Sequence, residues 1–459
     1  MKTVLVLGGS YGGASAARFL AKSIPNGHRI ILLERNSHAN HLYVFPRFSV
    51  IPNHEHKAFI PYTGLFEHNE VLPDTTPPSL HQVIHGTATR LERNRVTYTP
   101  AAYASNNIDK PKLTLDFDYL VYALGAALPA PIDLWGERSV FDYEREGSIN
   151  QRLRKYNAVE EPVGAKQGGM GWLRKAQDRL KDVGSVLVIG GGALGIQFAT
   201  DLKDVYPNKK ITLIHSSAQL LPRFPVKMHD ERKLVNATLR KLGVDVILGQ
   251  RLDLKTTLPE NAKYNDRGER VVRTESGRTI CADLLLLCTG QTPNTQLMRE
   301  FSPNAVDPNT GMIKVLRTLQ VFLPNNQATK LANQPGRTNG AKEKADTSLH
   351  HIFAIGDSAD AFGAMKAGHT AYYQAELAAQ NIVALINHEQ ASSHSMLVPQ
   401  LNPYTPGDPA IKVSLGLRHY AVMIGSDAKM TVGNDGKDDL DAPVIWPFYG
   451  ASYEKSKDT

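Results

Sequence analysis

The chain has 459 residues, room for two to four domains at roughly 100 to 200 residues each. With 42% hydrophobic and 21% charged residues it can build a core, and its net charge of +7, from 52 basic and 45 acidic residues with no block of like sign, gives no reason to expect a nucleic-acid partner. No apolar run approaches the roughly 18 residues of a bilayer span, and the two cysteines, Cys281 and Cys288, exclude a disulphide framework and a C-x-x-C thiol centre.

The first signal in chain order is a strand, Lys2 to Leu7, opening into Gly8-Gly9-Ser10-Tyr11-Gly12-Gly13 and a small-residue helix from Ala14 to Leu20. The apolar start meets glycines at once and has no cleavage site, so no secretory signal is expected. Glycines recur at such a turn because a diphosphate must approach the backbone N–H groups at a helix N-terminus. Ser10 stands where the fingerprint has its second glycine. The second strand, Arg29 to Leu33, ends in Glu34, where a dinucleotide fold places its ribose-binding acid. A strand pattern at Tyr119 to Gly125 closes this unit. Gly164 to Gly171 carries four glycines and reads as a flexible linker.

The same unit then repeats. A strand, Ser185 to Ile189, leads into Gly190-Gly191-Gly192-Ala193-Leu194-Gly195, a helix to about Val205 and a strand from Lys210 to Ile214. Leu284 to Cys288, within Asp283 to Gly290, matches the earlier closing strand. Pro324 to Asp346 is polar and reads as a mobile surface loop. The last strong pattern is Thr347 to Asp357, followed by a helix from about Thr370 to Ile386. The economical arrangement is α/β: two Rossmann-like dinucleotide-binding domains, the second inserted into the first, with a C-terminal antiparallel cap. Its expected limits are 1–130 with 295–390 for the discontinuous first domain, 131–294 for the inserted one and 395–459 for the cap.

These motifs, with His38 to Arg47, Ile211 to Ser216, Phe353 to Asp357, Lys366 and Tyr404 to Gly407, resemble the apoptosis-inducing-factor-like branch of the pyridine nucleotide-disulphide oxidoreductase-like flavoproteins. Within that branch the chain is most similar to the ferroptosis-suppressor type of NAD(P)H:quinone oxidoreductase. The resemblance implies FAD on the first motif and NAD(P)H, as electron donor, on the second. It implies that Gly8, Gly9, Ser10, Tyr11, Gly12 and Gly13 cradle the FAD diphosphate and that Glu34 takes the adenosine ribose. Arg47 is to reach the cofactor from the following loop, the backbone near Ile84 is to meet the adenine, and Asp357 is to bond the ribityl chain. Lys366 is to stabilise negative charge on the reduced ring as the catalytic group. Gly190, Gly192 and Gly195 are to hold the nicotinamide dinucleotide. The family's Glu in the second motif is Gln197 here, which keeps hydrogen bonding and loses charge.

The second nucleotide unit's strand ends in His215, not an acid, with Ser216, Ser217, Arg223 and Lys227 beyond it, so NADPH is expected to serve at least as well as NADH. The histidines form no metal-ligating pattern and no metal is expected. Lys2 follows Met1 where the family's acylated members carry glycine, so a cytoplasmic protein without a lipid anchor is expected, with peripheral membrane contact left open and no clear mitochondrial transit peptide. The expected reaction passes hydride from NAD(P)H to flavin and electrons onward to a small-molecule acceptor, by resemblance a quinone. Two alternatives stand beside it: an FAD-dependent oxidase or dehydrogenase acting on a small molecule in a biosynthetic pathway, and a redox-signalling flavoprotein with little turnover.

Overall fold

The computed structural model describes residues 1–66, 80–101, 111–134, 164–221, 229–324, 349–391, 399–425 and 430–454. The chain opens as β1 (Lys2–Leu7), α1 (Tyr11–Ser23) and β2 (His28–Glu34), passes a short helix α2 (Phe45–Phe48), and forms β3 (Gln82–Glu92), β4 (Arg95–Pro100), β5 (Leu113–Asp116) and β6 (Tyr119–Tyr122). A two-residue strand, β7 (Ala126–Ala127), leads to α3 (Lys166–Asp182), β8 (Ser185–Ile189), α4 (Ala193–Val205), β9 (Lys210–Ile214), α5 (His229–Leu242), β10 (Asp245–Ile247) and β11 (Leu284–Leu287). The chain returns through β12 (Thr292–Pro293) to β13 (Ile352–Ala354) and α6 (Gly368–Ala391), and ends in β14 (Ala410–Leu415), β15 (His419–Ile424), β16 (Thr431–Asn434) and a 3-10 segment, Ala442–Tyr449.

The first sheet runs β13-β6-β1-β2-β3-β4-β5. Its first five strands are parallel, and β4 and β5 fold back antiparallel. A strand from beyond residue 350 therefore pairs beside one from residues 119–122, and the second sheet, β10-β9-β8-β11, lies between them in sequence. Its four strands are parallel as well. Continuous Val, Ile and Leu runs such as Ser185–Ile189, buried along their whole length, are what a parallel strand covered on both faces requires. The small residues of α1 (Ala14, Ala17, Ala21) and of α6 (Ala375, Ala378, Ala379) are buried, which lets these two helices pack closely over the first sheet.

Both crossings between the sheets lie side by side. Strand β7 pairs antiparallel with β12, Ala126 against Pro293 and Ala127 against Thr292. Asn294 tightens the neck, its backbone N–H donating to Gly125 O at 2.9 Å and its side-chain amide to Leu124 O at 2.9 Å.

The last three strands form an antiparallel sheet. It packs on α4, and a single apolar core joins it to the second sheet and to α2: Val413 and Leu415 share it with Phe198, Leu202, Phe45 and Phe48.

The glycine-rich stretch from Gly164 corrects the sequence reading. It is not a linker: Gly168, Gly169 and Gly171 lie inside α3. Leu173, Ala176 and Leu180 of that helix are buried in the second core, and an added Cβ on Gly169 would come within 2.4 Å of the Phe59 ring. Close contact with an aromatic ring, rather than chain flexibility, explains that glycine. The polar stretch 324–346 lies, past Pro324, outside the described residues.

Candidate functional site

A cleft of about 680 Å³ opens at the carboxyl ends of β1, β2 and β6. That volume lies within the range of ligand pockets, and the position is where an open α/β sheet binds its ligand. Its floor is the turn from Gly8 into α1, with Gly8, Ser10, Tyr11 and Gly12 on the surface. The turn is tight enough that only glycine fits at two points: Gly8 has φ +92°, and an added Cβ on Gly13 would lie 1.7 Å from Gly8 O. Gly9 and Gly13 are therefore packing residues behind the floor. Ser10 is the N-cap in an extended conformation, yet its hydroxyl makes no capping hydrogen bond, so it does not compete for the N–H groups that head α1. This cradle suits a diphosphate, and FAD fits the donor set.

Glu34 ends β2 beside the floor. Its carboxylate accepts from Gly9 N–H at 2.5 Å, from Asn36 N–H at 2.8 Å and from the Asn36 amide at 2.7 Å, so its position is fixed before any ribose arrives. Tyr62, unmarked in the sequence, donates to Gly9 O at 2.8 Å and holds the turn from below. On the opposite wall stand Asp357, from the turn after β13, and Lys366 and Gly368 at the head of α6. Gln374 accepts from Gly356 N–H at 2.7 Å and fixes that turn. The Tyr11 hydroxyl and His41 Nδ1 share a hydrogen bond of 2.9 Å. Burial pushes the Tyr11 phenol well up and His41 down to about 4, so both are neutral at neutral pH.

Besides Gly9 and Gly13, two more expected contacts lie off the cleft surface. Arg47 does not line the cleft: its guanidinium is fully buried against Asp201 of α4, an ion pair whose partners stand 154 residues apart. Ile84 is paired with Leu33 inside the first sheet, and the wall of the cleft is built by Gly86 to Thr89, beyond the end of that pairing.

The second motif has the same internal logic. Gly190 has φ +121°, and an added Cβ on Gly195 would lie 1.9 Å from Gly190 O. Gly192, the N-cap of α4, has open space where its Cβ would be. His215 follows β9, and its ring packs so closely on Gly191 that a Cβ there would meet it at 2.7 Å. Its Nε2 is buried and has no hydrogen-bond partner among the described residues. Burial, and then the nearby Arg251 guanidinium, lower its pKa, which leaves the imidazole neutral at neutral pH. Among the described residues Arg251, which motif reading missed because it lies after β10, puts positive charge near this strand end, with the Glu275 carboxylate 4.0 Å from its Nε; Arg223 and Lys227 fall outside the described residues. Gln197 is buried and donates through Nε2 to Tyr43 O at 3.2 Å. The two cysteines are free and neither lines the cleft. Among the described residues no group of three His, Cys, Asp or Glu side chains could hold a metal, and no helix is long and apolar enough to cross a membrane.

A seven-stranded sheet with a parallel core and a four-stranded parallel sheet, each with a glycine turn feeding a helix N-terminus, define a two-dinucleotide oxidoreductase. The chain belongs to the pyridine nucleotide-disulphide oxidoreductase family, whose profile matches residues 2–375, and is an FAD-dependent oxidoreductase that uses NAD(P)H. It is similar to "Fe-regulated protein 8" of Mycosarcoma maydis, 38% identical over 98% of this chain and 96% of that one. It is similar to "Ferroptosis suppressor protein 1" of Homo sapiens, 24% identical over 90% of this chain and 86% of that one. Among solved structures, the sulfide:quinone oxidoreductase of Aquifex aeolicus shares the fold, with a TM-score of 0.62 at 15% identity over 100% of this chain and 94% of that one. Two other structures of the fold are longer proteins, of which the chain spans 61% and 63%.

Proposed function

We propose that the chain takes hydride from NAD(P)H and delivers the electrons to a small diffusible acceptor, a quinone. The observation that carries this reading is the chemistry of the cleft: Leu42, Leu128 and Leu134 line it together with Lys366, and no cysteine does. Internal disulphide chemistry needs a thiol pair at the flavin, and the sequence's two cysteines, Cys281 and Cys288, are both free and lie outside the cleft lining. An apolar wall beside a cation suits a flat, uncharged acceptor that gains negative charge as it is reduced. The name of the Aquifex aeolicus protein, a quinone oxidoreductase of the same fold, supports the choice.

In this reading residues 1–130 and 295–390 hold FAD, 131–294 hold NAD(P)H and 395–459 form the cap. Gly8, Ser10, Tyr11 and Gly12 face the diphosphate, Glu34 the ribose, Gly86 to Thr89 the adenine and Asp357 the ribityl chain. Gly190, Gly192 and Gly195 shape the nicotinamide dinucleotide site, and His215 with Arg251 tolerates the 2′-phosphate of NADPH. FAD, when bound, supplies the hydride-accepting and electron-releasing chemistry. The protein contributes binding, orientation and charge: Lys366 offers a cation to the reduced state, and the cleft walls limit access of water.

Anaerobic mixing with NADPH or NADH should bleach the flavin absorbance rapidly, and a short-chain ubiquinone should restore it over many turnovers. Bleaching only by an organic substrate would replace this with the biosynthetic oxidase reading. Slow bleaching without turnover would replace it with a signalling flavoprotein.

A further inference from the structure

Helix α4 begins at the nicotinamide motif, and one turn apart on one of its faces it carries Gln197 and Asp201. Both reach the same segment of the first unit. Gln197 donates to Tyr43 O, and Asp201 accepts two parallel hydrogen bonds from Arg47, Nε to Oδ2 and Nη2 to Oδ1, each 2.9 Å. Neither partner of this ion pair has any side-chain exposure. Arg47 continues into the C-terminal part, with Nη2 donating to Gly416 O at 2.8 Å and Nη1 to Lys437 O and Asp438 O at 3.3 Å. One guanidinium thus ties together the α2 segment, the nicotinamide helix and the C-terminal cap. Burial raises the pKa of the Asp201 carboxyl, an effect that the adjoining guanidinium offsets only in part.

The α2 segment also reaches the flavin cleft, since Asn40 and Leu42 line it, seven and five residues before Arg47 in a stretch whose helix is buried throughout. A short rigid piece of chain therefore spans from the cleft to the helix that presents the nicotinamide motif. Hydride transfer tolerates little error in distance, and a misplacement of about 1 Å costs on the order of 100-fold in rate.

We propose that Arg47 and Asp201 are positioning residues for hydride transfer, a clasp that sets the spacing between the flavin cleft and the nicotinamide motif while touching neither nucleotide. The proposal rests on the assignment of NAD(P)H to the second motif and is independent of the acceptor.

The test uses the full chain with its flavin. Removing one partner leaves a lone buried charge and endangers folding, so the decisive variant is the double replacement Arg47→Met with Asp201→Leu, alongside Arg47→Met and Arg47→Lys. Flavin content, the thermal midpoint, the nicotinamide–flavin charge-transfer absorbance, and the limiting rate and apparent Kd of anaerobic flavin reduction are measured for each. The double variant should keep its flavin and its apparent Kd for NAD(P)H within about twofold, while the limiting rate falls about 10- to 100-fold and the charge-transfer band weakens. Arg47→Lys should recover part of the rate that Arg47→Met loses. Wild-type rates in the double variant overturn the proposal. Loss of flavin or fold in every variant also overturns it, by making the clasp a folding element. A wild-type protein that NAD(P)H does not bleach overturns the underlying assignment instead, and the proposal with it.

Discussion

Gly192→Ala separates a ligand's need from the fold's. At Gly190 and Gly195 an added Cβ would meet backbone at 2.7 Å and 1.9 Å, so substitution there damages the turn itself. At Gly192 nothing lies within 4 Å of the Cβ position, and the backbone, at φ −80° and ψ −178°, is one that alanine adopts without strain. Folding stability should therefore change by no more than about 1 kcal/mol, in the stabilising direction if the main effect is a less flexible unfolded chain. A phosphate oxygen bound at the N-terminus of α4 must come to about 3 Å from backbone nitrogen, and the new methyl would occupy its approach. Crowding of that kind costs about 1 to 3 kcal/mol, which is roughly 5- to 150-fold in affinity for NAD(P)H. Thermal unfolding and flavin content, measured beside anaerobic nucleotide titration, read the two effects separately. Unchanged nucleotide affinity would refute the assignment of this turn, and a large loss of stability would refute the geometric argument.

Asp357→Ala should weaken FAD retention by about 1.5 to 3 kcal/mol, the worth of a charge-assisted hydrogen bond, and flavin occupancy after dilution and gel filtration tests it. His215→Glu should move preference from NADPH toward NADH, because a carboxylate repels the 2′-phosphate and partly cancels Arg251; equal ratios of kcat/KM in the two proteins would show that this strand end does not set the choice. His41 is buried neutral with its pKa lowered from 6.5 to about 4. The folded state therefore resists its protonation, and stability present above pH about 6.5 drains away as pH falls toward 4, by roughly 3 kcal/mol from this group. Denaturant unfolding across that window should show a shallower acid loss in His41→Gln, and an identical slope would contradict it.

The strands and both glycine turns were legible because parallel, doubly covered strands and diphosphate turns are written in contiguous residues, as in Lys2 to Gly13 and Ser185 to Gly195. Even the return of the chain to the first sheet could be read, since the pattern around Phe353 had no place in the second unit. What escaped depends on tertiary neighbours. Gly169 looks like a flexible linker residue until the Phe59 ring is found against it. Arg47 was assigned to the cofactor by resemblance alone, and nothing local shows that its carboxylate partner lies 154 residues away. Ile84 was displaced by two residues because the register with β2 holds as far as His85, and only then does β3 turn its backbone to the cleft. Tyr62, whose hydroxyl holds Gly9 O, carries no local signature at all.

The paired crossings at Ala126–Ala127 and Thr292–Pro293 let the inserted half enter and leave the first unit at one place. The severed ends of the first unit stand one strand spacing apart, about 4.8 Å, so a two-residue turn could seal them without shifting the register of the flavin-bearing sheet. Removing the inserted half would be simple at the neck and costly elsewhere, because α3 and α4 share one apolar core with Phe45, Phe48 and Phe59 of the host and with Val413 and Leu415 of the cap.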